Sequence, residues 1–155
     1  MSRKNVEIDE VDRKIVGILN HDAEVTNATL GERVGLSSSA ANERVRKLKN
    51  QGVIKRIVAL ADSKFMNMGL CAFIYALIDK QENDKNFIKA VTKNPFILEC
   101  HHLTGEYSYI LKVRVASTRE LEELITDFLK MQVGVSKTVT QIVLSSPKDG
   151  SVIIE

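Results

Sequence analysis

The chain has 155 residues, enough for one medium domain or two small ones. Its 22 Lys and Arg against 20 Asp and Glu leave a formal charge of +2, which excludes a uniformly basic chain, so any attraction to a polyanion must come from local clusters. The longest apolar run, GLCAFIYALI, has about half the length that spans a bilayer, the start MSRKNVEIDE lacks the apolar core of a secretory signal, and Cys71 and Cys100 have no framework spacing. These features predict a soluble cytoplasmic protein with buried, reduced thiols.

In residues 8–20, Ile8, Val11, Ile15, Ile18 and Leu19 recur at helical spacing with charges between them. Asp9 is placed to cap that helix, and Asp12 adds negative charge to its first turn. A second helix fits 27–34, with Thr26 as cap, Leu30 and Val34 facing inward and Gly35 as the stop. Gly31 inside it costs about 1 kcal/mol relative to Ala, which suggests that another helix crosses closely there. Leu36 is expected as a buried turn residue. Ser37 then caps a third helix to about Gln51, with Ala41, Val45 and Leu48 inward and Gly52 as its end. Two short helices joined by Gly-Leu-Ser behind a first helix make a helix-turn-helix unit. VIKRIVALAD is expected to lead out of it as an extended segment.

The remainder changes character. LCAFIYALI at 70–78 reads as a strand, NDKNFIKAVTKN as a helix with Phe87, Ile88 and Val91 on one side, and FILECHHLT and YSYILKVRV as strands about a turn at Gly105. STRELEELITDFLKM is a strong helix. Its Leu121, Leu124, Ile125, Phe128 and Leu129 fall at i, i+3, i+4, i+7 and i+8, and Ser117 and Glu120 suit a capping box. VSKTVTQIVLS is a last strand. The order is β-α-β-β-α-β, the ferredoxin-like arrangement, so the fold class is α+β. Both alternating sets in 70–78 are apolar, although a sheet with helices on one side has one open face. That face is expected to pack on a second copy; coverage by the N-terminal unit or the linker is the alternative.

The third helix carries the function. Ser38, Ser39, Asn42, Arg46 and Lys49 are assigned to its solvent face, with Glu43 beside them. Small residues at its amino end let the backbone approach the floor of a major groove, Ser and Asn exchange hydrogen bonds with base edges, and Arg46 suits a bidentate contact to guanine. Arg44, Arg46, Lys47, Lys49, Lys55 and Arg56, with no carboxylate among them, are expected to meet phosphates. The bland alternative is a solvated face of a three-helix bundle. The turn before the helix and the Gly-Val-Ile after it favour the DNA reading.

Three stretches, IDEVDRKIVGIL, LGERVGLSSSAANERVRKLKNQGVIKRIVA and LTGEYSYILKVRV, in that order, resemble the Lrp/AsnC family of leucine- and asparagine-responsive regulators over nearly the whole chain. The resemblance implies a winged helix-turn-helix over 1–56, a linker strand over 57–68 and a ferredoxin-like amino-acid-sensing and oligomerisation domain over 69–155. It implies double-stranded DNA and an amino-acid effector as partners, no cofactor, no membrane, and a homodimer assembling to an octamer. It places base contacts at Ser38, Ser39, Asn42 and Arg46. The effector site falls on Thr104, Gly105, Glu106, Tyr107 and Ser108, with contributions from Ser117, Thr118, Thr138, Thr140 and Gln141. Many members have an acid where this chain has Ser108, a departure that leaves open how, or whether, an effector's amino group is neutralised, with Glu106 as the alternative acid. Ser117 also has a purely structural reading as a helix cap, and Gly105 as a hairpin turn.

ECHHL invites a metal reading, but strand neighbours point to opposite faces, so Cys100, His101 and His102 do not converge on one ion. No phosphate loop, Gly-x-Ser-x-Gly motif or RNP aromatic pair occurs. Two other functions compete with a sequence-specific regulator: a small ferredoxin-like enzyme, for which no positioned Arg or carboxylate pair is found, and a DNA-compacting protein with little sequence preference.

Overall fold

A computed structural model describes residues 6–79 and 81–148. Residues 1–5 and 149–155, read above as the ends of the first and last domains, lie outside the described residues, as does Lys80. The described chain divides into two compact units, one ending at Leu60 and one spanning residues 61–148.

The first unit holds α1 (Glu10–His21), α2 (Asn27–Val34) and α3 (Ser38–Asn50). Each begins where a side-chain oxygen satisfies an otherwise orphaned amide. The Asp9 carboxylate accepts from Asp12 N at 2.7 Å, and Asp12 accepts in return from Asp9 N, closing a capping box. Thr26 accepts from Thr29 N, and Ser37 from Ala40 N. Gly35 ends α2 at φ 72°, a left-handed backbone that favours glycine. Ile15, Leu30, Ala41, Val45, Leu48 and Ile54 form the core. Leu36, expected buried, is half-buried.

Gly31 is tight for a different reason from the one expected. A Cβ there would stand 2.6 Å from the Leu36 carbonyl oxygen, so its neighbour is the turn between α2 and α3. Leu36 N also donates to Gly31 O at 2.9 Å. Glycine at 31 therefore lets the turn fold back onto its own helix, which sets how α3 leaves α2.

The second unit holds β1 (Leu70–Leu77), α4 (Gln81–Val91), β2 (Ile97–His102), β3 (Tyr109–Val115), α5 (Thr118–Glu123) and β4 (Lys137–Ile142). All pairings are antiparallel, and the strand order is β2-β3-β1-β4, the ferredoxin-like arrangement expected. Ala72, Ile74 and Ala76 of β1 and Tyr109, Leu111, Val113 and Val115 of β3 share a core with Phe87 and Val91 of α4 and Leu121 of α5.

Two helical details differ from the periodic reading. Ile88 is 45 % exposed rather than packed with Phe87 and Val91. Beyond Glu123, α5 widens into a π-helix over Leu124–Gln132. Along it Leu124 and Leu129 are buried, as is Val133 just beyond, and Ile125 and Phe128 are half-buried against the same core. The capping box of α5 is also shifted: Ser117 accepts from Glu120 N, but Glu120 reaches Ala116 N at 2.9 Å.

Among the described residues, no strand lies between α3 and β1. Residues 62–68 form a turn closed by bonds such as Met68 N to Ser63 O at 2.8 Å, and Arg114 donates to Ser63 Oγ at 2.8 Å. Ile57, Val58 and Leu60 are exposed.

Candidate nucleic-acid interface and effector site

On α3, burial of Ala41, Val45 and Leu48 turns the other side of the helix outward. Ser38, Ser39, Asn42, Arg46, Lys47 and Lys49 are all exposed, and so are Lys55 and Arg56 beyond it. The eight residues named from the sequence are thus uncovered within their unit. Ser39 Oγ lies 3.1 Å from Ser37 Oγ, which itself caps the helix. Arg46 Nη2 donates to Glu43 Oε1 at 2.9 Å, with both side chains about two-thirds exposed. Pairs of this kind open readily, so Arg46 remains available to another acceptor.

Arg44, expected from its charge to meet phosphate, is engaged within its own unit. Its guanidinium donates to Asp9 and, at 3.0 Å, to Asp12, whose side chain is buried. The Arg44 bond, with help from Asp12 N, holds the Asp9 carboxyl below its ordinary range, and the two carboxylates raise Arg44 in turn. The partner acids lie 32 and 35 residues away, so no local pattern reveals them.

The sheet of the second unit has one face toward α4 and α5. The other carries Phe73, Tyr75 and Leu77 of β1, with Ile110 and Val139 beside Tyr75 in register and Gln141 beside Phe73. Lys112 lies next to Phe73 on β3 and pairs with Glu99 at 3.4 Å, while His101 Nε2 lies 3.2 Å from the same carboxylate. The core and this face are both apolar along β1, as the double alternation predicts. Cys100 and His102 sit on the helix-covered face instead, where the His102 ring stacks on Tyr109 with centroids 4.8 Å apart.

At one end of the open face, the turn after β2 meets β1 and β4. Ser108 N donates to Ala76 O, and Ser108 Oγ accepts from Ile78 N at 3.2 Å. The hydroxyl therefore pins the turn to the end of β1. Gly105 adopts φ 121°, which only glycine takes without strain. Glu106 Oε1 accepts from Lys137 Nζ at 2.7 Å, Lys137 lies over the Tyr107 ring at 5.4 Å, and the Tyr107 and Tyr75 rings are 5.8 Å apart. The Glu106 carboxylate, then Tyr107, raise the Lys137 ammonium above its usual value.

Of the ten residues named for an effector, Thr104 to Ser108 thus form one cluster. Lys137 and Tyr75 join it, and both were missed because they lie about 30 residues away in sequence. Ser117 and Thr118 do not join it within one chain: they follow Val115, at the Leu70 end of the sheet, whereas the turn lies at the Ala76 end. β3 separates the two places by about 20 Å. Thr138 and Thr140 pair with Ala76 and Ile74 and so lie on the helix-covered face, while Gln141 lies on the open one.

Residues 8–49 match the AsnC-type helix-turn-helix domain, and residues 71–153 the Lrp/AsnC ligand binding domain. The leucine-responsive regulatory proteins of Escherichia coli K12 and Klebsiella pneumoniae are each 32% identical to the chain over 151 residues, covering 96% of it and 92% of the relative. A transcriptional regulator of Neisseria meningitidis, solved in complex with L-Met, superposes with a TM-score of 0.85 at 30% identity, over 94% of this chain and 95% of that one. The leucine response regulatory protein of Mycobacterium tuberculosis gives 0.86 at 30% identity, over 96% and 100%.

Proposed function

The chain belongs to the Lrp/AsnC family of transcriptional regulators, and from that premise we propose how it reads DNA and what controls it. The exposed face of α3 enters the major groove, with Ser38, Ser39, Asn42 and Arg46 at base edges and Lys47, Lys49, Lys55 and Arg56 at phosphates. One observation carries this reading: the residues suited to base edges are all uncovered, over a buried stripe that fixes the helix's orientation. The chain works in the cytoplasm as a regulator and not as an enzyme. No helix among the described residues is long and apolar enough to cross a membrane.

The partners are double-stranded DNA, an amino-acid effector and further copies of the chain. The open sheet face, with Phe73, Tyr75 and Val139 uncovered in part or whole, suits a second copy, and dimers assemble to an octamer. The domains run over 1–56 and 69–155, joined by a linker at 57–68. A strand in that linker needs a ladder partner, and exposed Ile57, Val58 and Leu60 suit the same segment of another copy. The effector is a small amino acid held at the turn of Thr104 to Ser108. Because the Ser108 hydroxyl is engaged with Ile78 N, the effector's ammonium falls to Glu106 and its carboxylate to Lys137, with Tyr75 and Tyr107 beside its side chain. Ser117, Thr118, Thr138, Thr140 and Gln141 contribute only where a neighbouring subunit brings them to that turn.

Selection of binding sites from random duplex DNA by the full chain tests this directly. The expected outcome is an enriched motif with two-fold symmetry whose affinity, or whose bound assembly state, shifts with one of the twenty amino acids. Wrapping of unrelated DNA with a specificity ratio near one supports the compaction reading instead.

A further inference from the structure

Glu43 occupies a place on α3 that its flanking charges disguise. It is the one acid in that helix, and on charge alone it sits beside a basic and polar face. The helical angle gives a different picture. Each residue turns the helix by about 100°, so Glu43 lies about 165° round from the buried stripe of Ala41, Val45 and Leu48, with Ser39 and Arg46 roughly 135–155° round on one side and Lys47 roughly 125° on the other. A carboxylate is therefore at the centre of the outward face over the first turns, and Arg46 leans on it at 2.9 Å. Arg44, its chain neighbour, is engaged by Asp9 and Asp12 and gives it no counterion.

A carboxylate there opposes approach to DNA. It is repelled by the phosphates and by the acceptor atoms of guanine and of thymine O4 in the major groove. The cytosine N4 amino group is the base edge that a Glu side chain characteristically accepts from, while Arg characteristically forks onto O6 and N7 of guanine. Two side chains that touch each other reach the same or adjacent base pairs.

We infer that Glu43 is a specificity-determining residue: together with Arg46 it reads neighbouring cytosine and guanine edges, and it penalises a duplex whose edge at the cytosine's place offers only acceptors. The inference rests on α3 being the base-reading helix. The exposed Glu43–Arg46 pair acts in the free protein as a weak resting contact that opens on the correct site. Its negative charge then explains how a helix with so many cations avoids binding all DNA alike.

The test uses the full chain and its Glu43→Ala, Glu43→Gln and Arg46→Ala variants at one fixed salt concentration, with thermal unfolding confirming that each is folded. Affinities are measured for the site selected by the wild type, for the same site with its cytosine changed to thymine, and for random duplex. Glu43→Ala is expected to bind random duplex several-fold more tightly and to lose roughly tenfold in its preference for cytosine. Glu43→Gln, uncharged but still an acceptor, is expected to keep part of that preference. The inference is overturned if Glu43→Ala keeps the wild-type preference while Arg46→Ala loses affinity for the selected site. If Arg46→Ala changes neither affinity nor preference, the reading of α3 falls, and this inference with it.

Discussion

Arg44, on α3, donates to Asp12, on α1, at 3.0 Å, and Asp12 is 2 % exposed. The same guanidinium also bonds Asp9, the cap of α1, so one side chain on α3 holds both members of the α1 capping box. Bound in this way, the cation ties α3 to the start of α1, and it is expected to orient α3 rather than meet phosphate.

Arg44→Met is therefore expected to lower the thermal midpoint by several degrees, because it leaves the buried Asp12 carboxylate unpaired. Its effect on the salt dependence of DNA binding should be smaller than that of Lys47→Ala, whose slope should fall by about one. Equal loss of slope in the two variants, with no loss of stability in Arg44→Met, would show Arg44 to be a phosphate ligand.

The Asp9 carboxyl supplies a pH dependence of known sign. Its folded value lies below the ordinary 3.8, through the Arg44 bond and then the Asp12 amide. A depressed carboxylate contributes stability that is fully present above the unfolded value and is lost as pH falls through the folded one. Wild type should thus be more stable than Asp9→Asn at neutral pH. The difference should shrink as the pH drops below 3.8. Acid titrations of both proteins by circular dichroism check this; a gap that stays constant below that value contradicts it.

Gly31 separates two opposing effects. Helix propensity favours Ala by about 1 kcal/mol, whereas forcing a Cβ against a fixed backbone atom typically costs about 1–3 kcal/mol. With the Leu36 carbonyl oxygen only 2.6 Å from that Cβ, the clash should win. Gly31→Ala is expected to be destabilised, by up to about 2 kcal/mol, in denaturant titration. A stabilised variant would mean the turn relaxes freely and does not set the departure of α3.

At the sensor turn, Glu106→Gln and Lys137→Met should each weaken binding of the active amino acid about tenfold or more, since each removes one charged contact. Isothermal titration with the free amino acid, its amide and its N-acetyl form separates the two roles. Lys137→Met should narrow the gap between free acid and amide, and Glu106→Gln the gap between free and acetylated amine. Variants that bind all three forms as wild type does place the effector elsewhere.

Much of this was legible in the chain, for local reasons. Thr26, Gly35 and Ser37 announce where α2 and α3 start and stop because caps act within three residues. The βαββαβ order and the two-faced apolar β1 follow from periodicity alone. The remainder depends on long-range contacts. Arg44 reads as one more cation until Asp12 folds against it, and Lys137 reads as an ordinary strand lysine until Glu106 arrives across the sheet. Glu43 reads from the sequence as a neighbour of the outward polar face, and its contact with Arg46 shows only in the structure. Leu121, Leu124, Ile125, Phe128 and Leu129 fit an α-helix well and all pack on the core as that spacing implies, but the spacing does not reveal the widening after Glu123. Ile88 shows the reverse error, an apolar residue at the right spacing that stays 45 % exposed.

On the reading proposed for α3, its outward face lies against base edges. A photoreactive side chain at Asn42, irradiated in the complex with the selected duplex, tests it most directly, with the same group at Glu122 as a control. A cross-link to a base inside the motif is expected from position 42 and none from 122; an intact complex that cross-links from 122 and not from 42 would overturn this reading of α3.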